Sequence, residues 1–400
     1  MLILKRIFRA KNGDILIMTK ESSSRVHGLD VLRSSAIILV FMYHYVCFVS
    51  HKPTFGFLSD IGWIGVDLFF VLSGYLIGHQ IFLPLANHQK FSFKVFYFRR
   101  LLRTLPNYLF ILSIYFCVPG FREQEILSPL WKFLTFTQNF GLHTGTAFSH
   151  AWSLCVEEQF YLILPLLSLV CIHKKSTHYG WITLLGLLCA GIILRGSLWI
   201  YYTHNMNNNS HAFYYTTIYY CSFCRLDELV FGVAIAMLHD FHKAIWMKII
   251  EKGNLILLLG VIGSCITSYL FIHHRYSLFM IAFGYPLLGI SFAALTLAAL
   301  CPNSYLHRVK IPGAATLAVW SYAIYLIHKP LSVIVCSQLS KFGIEASSIF
   351  AISLTIVVSI ASGGAMYTCI EAPFLRLRDR IGKENANSRA YYPAVRNETN

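Results

Sequence analysis

Ten runs of apolar residues, each close to the length that crosses a bilayer, follow one another at about 31–50, 61–83, 104–119, 152–172, 181–201, 221–239, 255–272, 278–300, 314–338 and 347–369. Such a chain has few ways to fold, because in hydrocarbon every backbone N–H and C=O needs a partner, and runs of this length supply one internally only as helices. The expected fold is all-α: a polytopic integral membrane protein of about ten transmembrane helices. Composition agrees, since 56% of the 400 residues are hydrophobic and 13% charged, against roughly 25% charged in a soluble domain. The formal net charge of +15 does not point to nucleic acid, because the basic residues sit in short segments between apolar runs. They read as topology signals instead. Arg25 and Arg33 precede the first run, Lys94, Arg99, Arg100 and Arg103 follow the second, and Lys243, Lys248, Lys252, Arg308, Lys310, Arg376 and Arg378 mark later loops of the same sign. This alternation places both termini in the cytoplasm. Residues 1–27 are then a cytoplasmic N-terminal segment, 28–380 the transmembrane domain and 381–400 a polar cytoplasmic tail. The eleven cysteines lie mostly in apolar runs, and Cys221 and Cys224 have no second pair to complete a zinc site, so no metal is expected.

Residues 28–44, GLDVLRSSAIILVFMYH, put one ionisable side chain at each end of an apolar run: Arg33 and His44. Eleven residues on a helix separate them by about 16 Å and turn them about 20° apart, so one helix face joins two depths of a membrane. A snorkelling arginine and an interfacial histidine would give the same pair, and depth decides between the readings. At 1.5 Å per residue in a core about 30 Å thick, His44 sits about 20 Å above the cytoplasmic face. On the same scale Asp67 falls at about 21 Å, Glu157 and Glu158 at about 20–23 Å, and Asp227 and His328 near 20 Å. Two histidines and several acids from different helices thus share one level. Glu157 and Glu158, being adjacent, point about 100° apart. At the cytoplasmic level Arg100 and Arg103 share a face and, with Arg33, can form a fork for phosphate, although arginine at such a helix start also follows from topology alone. Ser73 and Gly74 are candidates for a nucleophile or for close helix packing, with packing the commoner use. Glu371 is expected to pair with one of the inside arginines, and Trp152 to belong to an aromatic belt at the outer boundary.

An anion fork on one side, with a histidine and acids deeper toward the other, suits transfer of a group from a cytoplasmic phosphorylated donor to an acceptor near the outer leaflet. His44 would act as general base on a hydroxyl, oriented by Asp67 or Glu157. The rival is a proton-coupled transporter or flippase for a lipid-linked sugar or carboxylic acid, with His44, Asp67 and Glu157 as its relay. Several stretches favour the transferase by resemblance: GLDVLR followed by His44, GVDLFFVLSGYLI (Asp67, Ser73), FRRLLRTLP (Arg100, Arg103), WSLCVEEQFYLILP (Glu157, Glu158, Tyr161), RLDELVFG (Arg225, Asp227), SYAIYLIHKPL (His328) and IEAPF (Glu371). In order and spacing they resemble the bacterial acyltransferase family 3 membrane proteins, the group containing O-antigen and exopolysaccharide O-acetyltransferases. The resemblance implies an acyl-CoA-dependent O-acyltransferase of the bacterial inner membrane, with acetyl-CoA as the simplest donor and a cell-surface or lipid-linked saccharide as acceptor. It implies that His44 and Arg33 are essential, that Arg100 and Arg103 contact the CoA phosphates, and that Asp67 and Glu157 support the chemistry. Ser73, Glu158, Arg225, Asp227 and His328 are carried along as supporting residues. Either direct attack by the acceptor or an acyl group carried on His44 fits. Val31 replaces the usual glycine of that first motif, and Lys329 stands after His328 where an aromatic is usual; Lys329 is expected to pair with a nearby acid.

Overall fold

The computed structural model describes residues 8–9, 15–16, 26–89, 91–174, 176–205 and 210–380. Most of the expected N-terminal segment and the whole 381–400 tail lie outside the described residues. Apart from a two-residue antiparallel ladder, Phe8–Arg9 with Ile15–Leu16, the architecture is helical. The long helices are α1 His27–Tyr45, α2 Ile64–Ala86, α3 Phe93–Cys117, α4 Trp152–Lys174, α5 Thr177–Asn205, α6 Asp227–Phe241, α7 Gly253–His274, α8 Leu278–Leu300, α9 Ala314–Ser340 and α10 Ile349–Met366. Each falls on one of the expected runs. Seven stretches are long and apolar enough to cross a membrane, and α6 with the helix Lys243–Ile250, bent 108° from it, would make an eighth. The two left over, α3 and α4, carry Arg100, Arg103, Glu157 and Glu158 into the bundle. Length and apolarity alone therefore pick out seven or eight crossings among the described residues, short of the ten expected.

The outward faces are apolar. On α7, Leu255, Leu258, Leu259, Ile262 and Ile266 form an exposed stripe at helical spacing, as expected where hydrocarbon is the solvent. Serines cap two of the later helices, Ser277 accepting from the Met280 N–H and Ser348 from the Ala351 N–H, which satisfies donors that a helix start leaves open.

The most extensive helix pairing is α2 against α6. Glycines set its closeness: a Cβ at Gly74 would overlap the Leu229 carbonyl, and one at Gly232 would overlap the Val71 carbonyl. Gly74 thus serves close packing, the commoner of the two uses open to small residues in a span. The connection between α3 and α4 folds back into the bundle. Phe133 and Phe148 are both fully buried, and Phe148 stacks on Tyr115 with ring centroids 4.4 Å apart. This return is buried, and α4 accordingly begins inside the bundle, with Ser149, His150, Ala151 and Trp152 all buried. Phe148 takes a left-handed conformation, a 3-10 turn Ser149–Ala151 follows, and only then does the helix start.

Replacing Gly232 with leucine forces α2 and α6 apart against a backbone carbonyl and should cost about 1–3 kcal/mol. A lowered melting midpoint of the detergent-solubilised protein would report it. Gly120→Ala, at a position with open space around it, is expected to leave the midpoint unchanged.

Candidate functional site

A cavity of about 220 Å³ opens between α1, α2, α3, α4 and α9. Arg33 reaches it from α1, and Arg100 and Arg103 from α3. Facing them on α4 are Glu157 and Glu158. The Arg100 guanidinium lies over the Tyr161 ring, 4.0 Å from its centroid, and its Nε is buried with no hydrogen-bond partner among the described residues. Ser73 donates to Glu157 Oε1 at 2.9 Å. The wall is completed in part by Ser153 and Tyr325, whose hydroxyls are 2.6 Å apart, and Tyr325 also donates to the His150 carbonyl at 2.6 Å. Together Ser153 and Tyr325 tie the cavity to a group of histidines.

In that group His44 Nδ1 lies 2.8 Å from His328 Nε2, and the two rings stack with centroids 5.0 Å apart. His150, which the sequence reading passed over, sits edge-on to both, at 5.9 Å from His44 and 5.8 Å from His328. Hydrogen-bond partners assign the tautomers. His328 Nδ1 is 3.0 Å from the Ile324 and Tyr325 carbonyls, which can only accept, so its proton is there and Nε2 is left as an acceptor. His44 must then donate from Nδ1, which leaves its Nε2 lone pair free for chemistry. A second imidazole, not a carboxylate, orients His44.

Arg33 and His44 are thus both turned inward. The depth scale misplaces several of the others. Because α4 starts within the bundle, His150 joins the other two histidines, and Glu157 lies about one turn beyond Ser153, where it meets Ser73 rather than His44. Asp67 goes elsewhere too. It is fully buried in an ion pair with Arg225, whose guanidinium also packs on the rings of Tyr285 (4.1 Å), Tyr219 (4.7 Å) and Trp152 (5.1 Å). Trp152 is accordingly buried rather than part of an outer belt. Asp227 is held by Arg195 of α5, at 2.5 Å and 3.1 Å, and Arg195 also donates to the carbonyls of Cys224, Ile281 and Ala282. Asp67, Arg225 and Asp227 thus sit in buried ion pairs that join α2, α5, α6 and α8. Arg195 was overlooked, although an arginine within an apolar run is itself a signal. Lys329 does find an acid: Glu123 of the α3–α4 connection at 2.9 Å, with Ser149 Oγ at 2.8 Å. Glu371 accepts from Asn107 at 2.7 Å and makes no ion pair among the described residues.

A basic cavity connected to paired histidines, built on an all-helical membrane bundle, suits transfer of a charged donor's group. Residues 26–367 match the acyltransferase domain family known as acyltransferase 3, and the chain belongs to that family. It is 26% identical to the peptidoglycan O-acetyltransferase OatA of Listeria monocytogenes over 89% of its own length and 56% of the relative's. The putative peptidoglycan O-acetyltransferase YrhL of Bacillus subtilis is also 26% identical, over 87% of this chain and 54% of the relative. The O-acetyltransferase OatA of Staphylococcus aureus gives 26%, over 86% and 56%. The chain therefore spans about half the length of these curated relatives. No solved structure matches it.

Removing the Asp227 carboxylate leaves the Arg195 guanidinium buried with its charge unpaired, which typically costs about 3–5 kcal/mol. Asp227→Ala is expected to lower the yield of folded, monodisperse protein on size-exclusion chromatography, and unchanged yield and melting would show that the pair does not hold the fold.

Proposed function

We propose that this chain is a membrane O-acyltransferase that moves an acyl group, most simply acetyl, from cytoplasmic acyl-CoA to a hydroxyl of a cell-envelope saccharide. The observation that carries the reading is a cavity lined by arginines whose wall, at Ser153 and Tyr325, borders the histidine group. Three guanidiniums line it, one with an Nε that has no partner among the described residues. Ser153 and Tyr325 link its wall to the backbone of His150, whose ring lies against His44, and the tautomer set by His328 leaves the His44 Nε2 lone pair free. Guanidinium groups suit phosphate because they bind it bidentately. Glu157 and Glu158 offset part of that charge, so an anion is held without being trapped. The printed names of the relatives point to a saccharide acceptor of the peptidoglycan kind. The bacterial inner membrane, with both termini inside, is the setting this reading requires.

In the step proposed, His44 Nε2 takes the proton from the acceptor hydroxyl as its oxygen attacks the thioester carbonyl. His328 keeps the imidazole in the tautomer with Nε2 free and shares the charge that forms. The tetrahedral intermediate collapses, the C–S bond breaks, and the CoA thiolate recovers the proton from His44. A transporter would instead move its cargo without consuming thioester.

Purified protein in lipid nanodiscs with labelled acetyl-CoA and a peptidoglycan fragment as acceptor is the direct test. His44→Ala is expected to lower transfer by about 100-fold or more. Arg100→Ala and Arg103→Ala should each raise KM for acetyl-CoA by about tenfold or more, the loss of a charge-assisted contact of about 1.5–3 kcal/mol. Undiminished transfer in His44→Ala, or cargo movement with intact thioester, would overturn the reading.

A further inference from the structure

At the opposite end of the α2–α6 crossing from the Arg225–Asp67 pair, three potential ligand residues converge outside the cavity. Asp240, on α6, is buried, and both its oxygens lie 3.0 Å from His79 Nδ1 of α2, while Oδ1 also lies 2.7 Å from His239 Nδ1. One ligand atom from each residue falls within 4.8 Å of the others. The two histidine side chains keep 28% and 26% of their exposure. The site is therefore closed on the carboxylate side and open on the imidazole side.

The charge balance is incomplete as it stands. Among the described residues Asp240 makes ion pairs with His79 and His239 only. Neutral imidazoles can donate hydrogen bonds to a carboxylate but cannot cancel its charge, and an uncompensated buried charge is costly. A cation at the point where both Nδ1 atoms face the carboxylate would cancel it. A proton on either ring is the competing solution, and the two exclude each other there. The surroundings are built as well as open: Tyr75 stacks on His79 with centroids 5.7 Å apart, and the Trp246 ring meets His239 edge-on at 4.6 Å. Both contacts hold an imidazole in place.

We infer that His79, His239 and Asp240 form a binding site for a divalent first-row transition metal, with zinc the ion that its two nitrogens and one carboxylate suit best. Each imidazole keeps one proton, carried on Nε2, and gives the Nδ1 lone pair to the metal, while Asp240 supplies an oxygen. Three protein ligands leave a fourth position to water from the exposed side, as is usual for zinc sites that are not fully enclosed. The ion would fasten α2 to α6 close to Gln80, which lines the main cavity. Its role is to hold the crossing, and it stands apart from the transfer chemistry.

The full chain, purified with a tag that contains no histidine and stripped with chelator, can be titrated with zinc chloride and counted by elemental analysis. One tightly held zinc per chain is expected in wild type. His79→Gln and His239→Gln should each abolish it, and zinc should raise the melting midpoint of wild type but of neither variant. Cobalt in place of zinc is expected to give visible d–d absorption from a four-coordinate site. The chain has 17 histidines, so weak background binding is shared by all three proteins and subtracts out. Stoichiometric zinc retained in both variants would overturn the assignment. So would wild-type protein that holds no stoichiometric zinc and shows no cobalt band, a result that does not depend on how the variants fold.

Discussion

The ion pair between Arg225 and Asp67 fixes where α2 stands, and the cavity follows from that. Both side chains are fully buried, so neither can be separated from its partner without leaving a charge in a low-dielectric interior. Aromatic rings of Tyr219, Tyr285 and Trp152 surround the guanidinium. One cation thereby gathers α2, the approach to α6, α8 and the first residue of α4. Arg195 on Asp227 repeats the device and adds α5. With these anchored, Ser73 is carried to Glu157, and the glycines at 74 and 232 let the backbones meet closely enough for the anchors to reach.

The resulting site has tiers. Arginines line one part of the cavity, carboxylates stand across from them, and histidines lie beyond Ser153 and Tyr325. The return of the α3–α4 connection creates this order, since burying Phe133 and Phe148 starts α4 deep and brings His150 to His44. Lys329 belongs to the same arrangement. Its ion pair with Glu123 and its place over the Phe48 ring, 3.8 Å away, tie α9 to the connection and to the end of α1. The strap and the histidine layer are held by one set of contacts.

Helix positions were legible in the sequence because apolar runs of bilayer length have a single solution, and the pairing of Arg33 with the arginines of α3 followed from topology and helix period. The carboxylates were legible as intramembrane charges, but their partners were not. A depth scale assumes that each run starts at the membrane surface, and α4 breaks that assumption. Arginines inside apolar runs had been assigned no acid, so Asp67 and Asp227 remained free to be given to chemistry. His150 stood in a stretch read as the outer end of a span, where a histidine is unremarkable. The cluster of His79, His239 and Asp240 was invisible for another reason: its members come from two helices whose register is set by glycine contacts that no periodicity encodes.

What the 28–44 segment contributes is distance. Helix α1 packs on both α2 and α9, so the offset between its two ionisable side chains cannot change without remaking those contacts. Arg33 faces the cavity, and His44 meets His328 at the other end, about 16 Å along the axis. A donor that seats its anionic end on Arg33 must therefore be long and narrow to bring a reactive carbonyl to His44. A compact phosphorylated donor would bind the arginines and stop short. Beyond His44 the helix ends in a π turn, Val46–Ser50, with His51 left-handed after it, so the rigid helix stops shortly past the His44–His328 contact. The His44 end is thus met by a terminating helix and the folded-back α3–α4 connection, and the Arg33 end by a continuous helical wall.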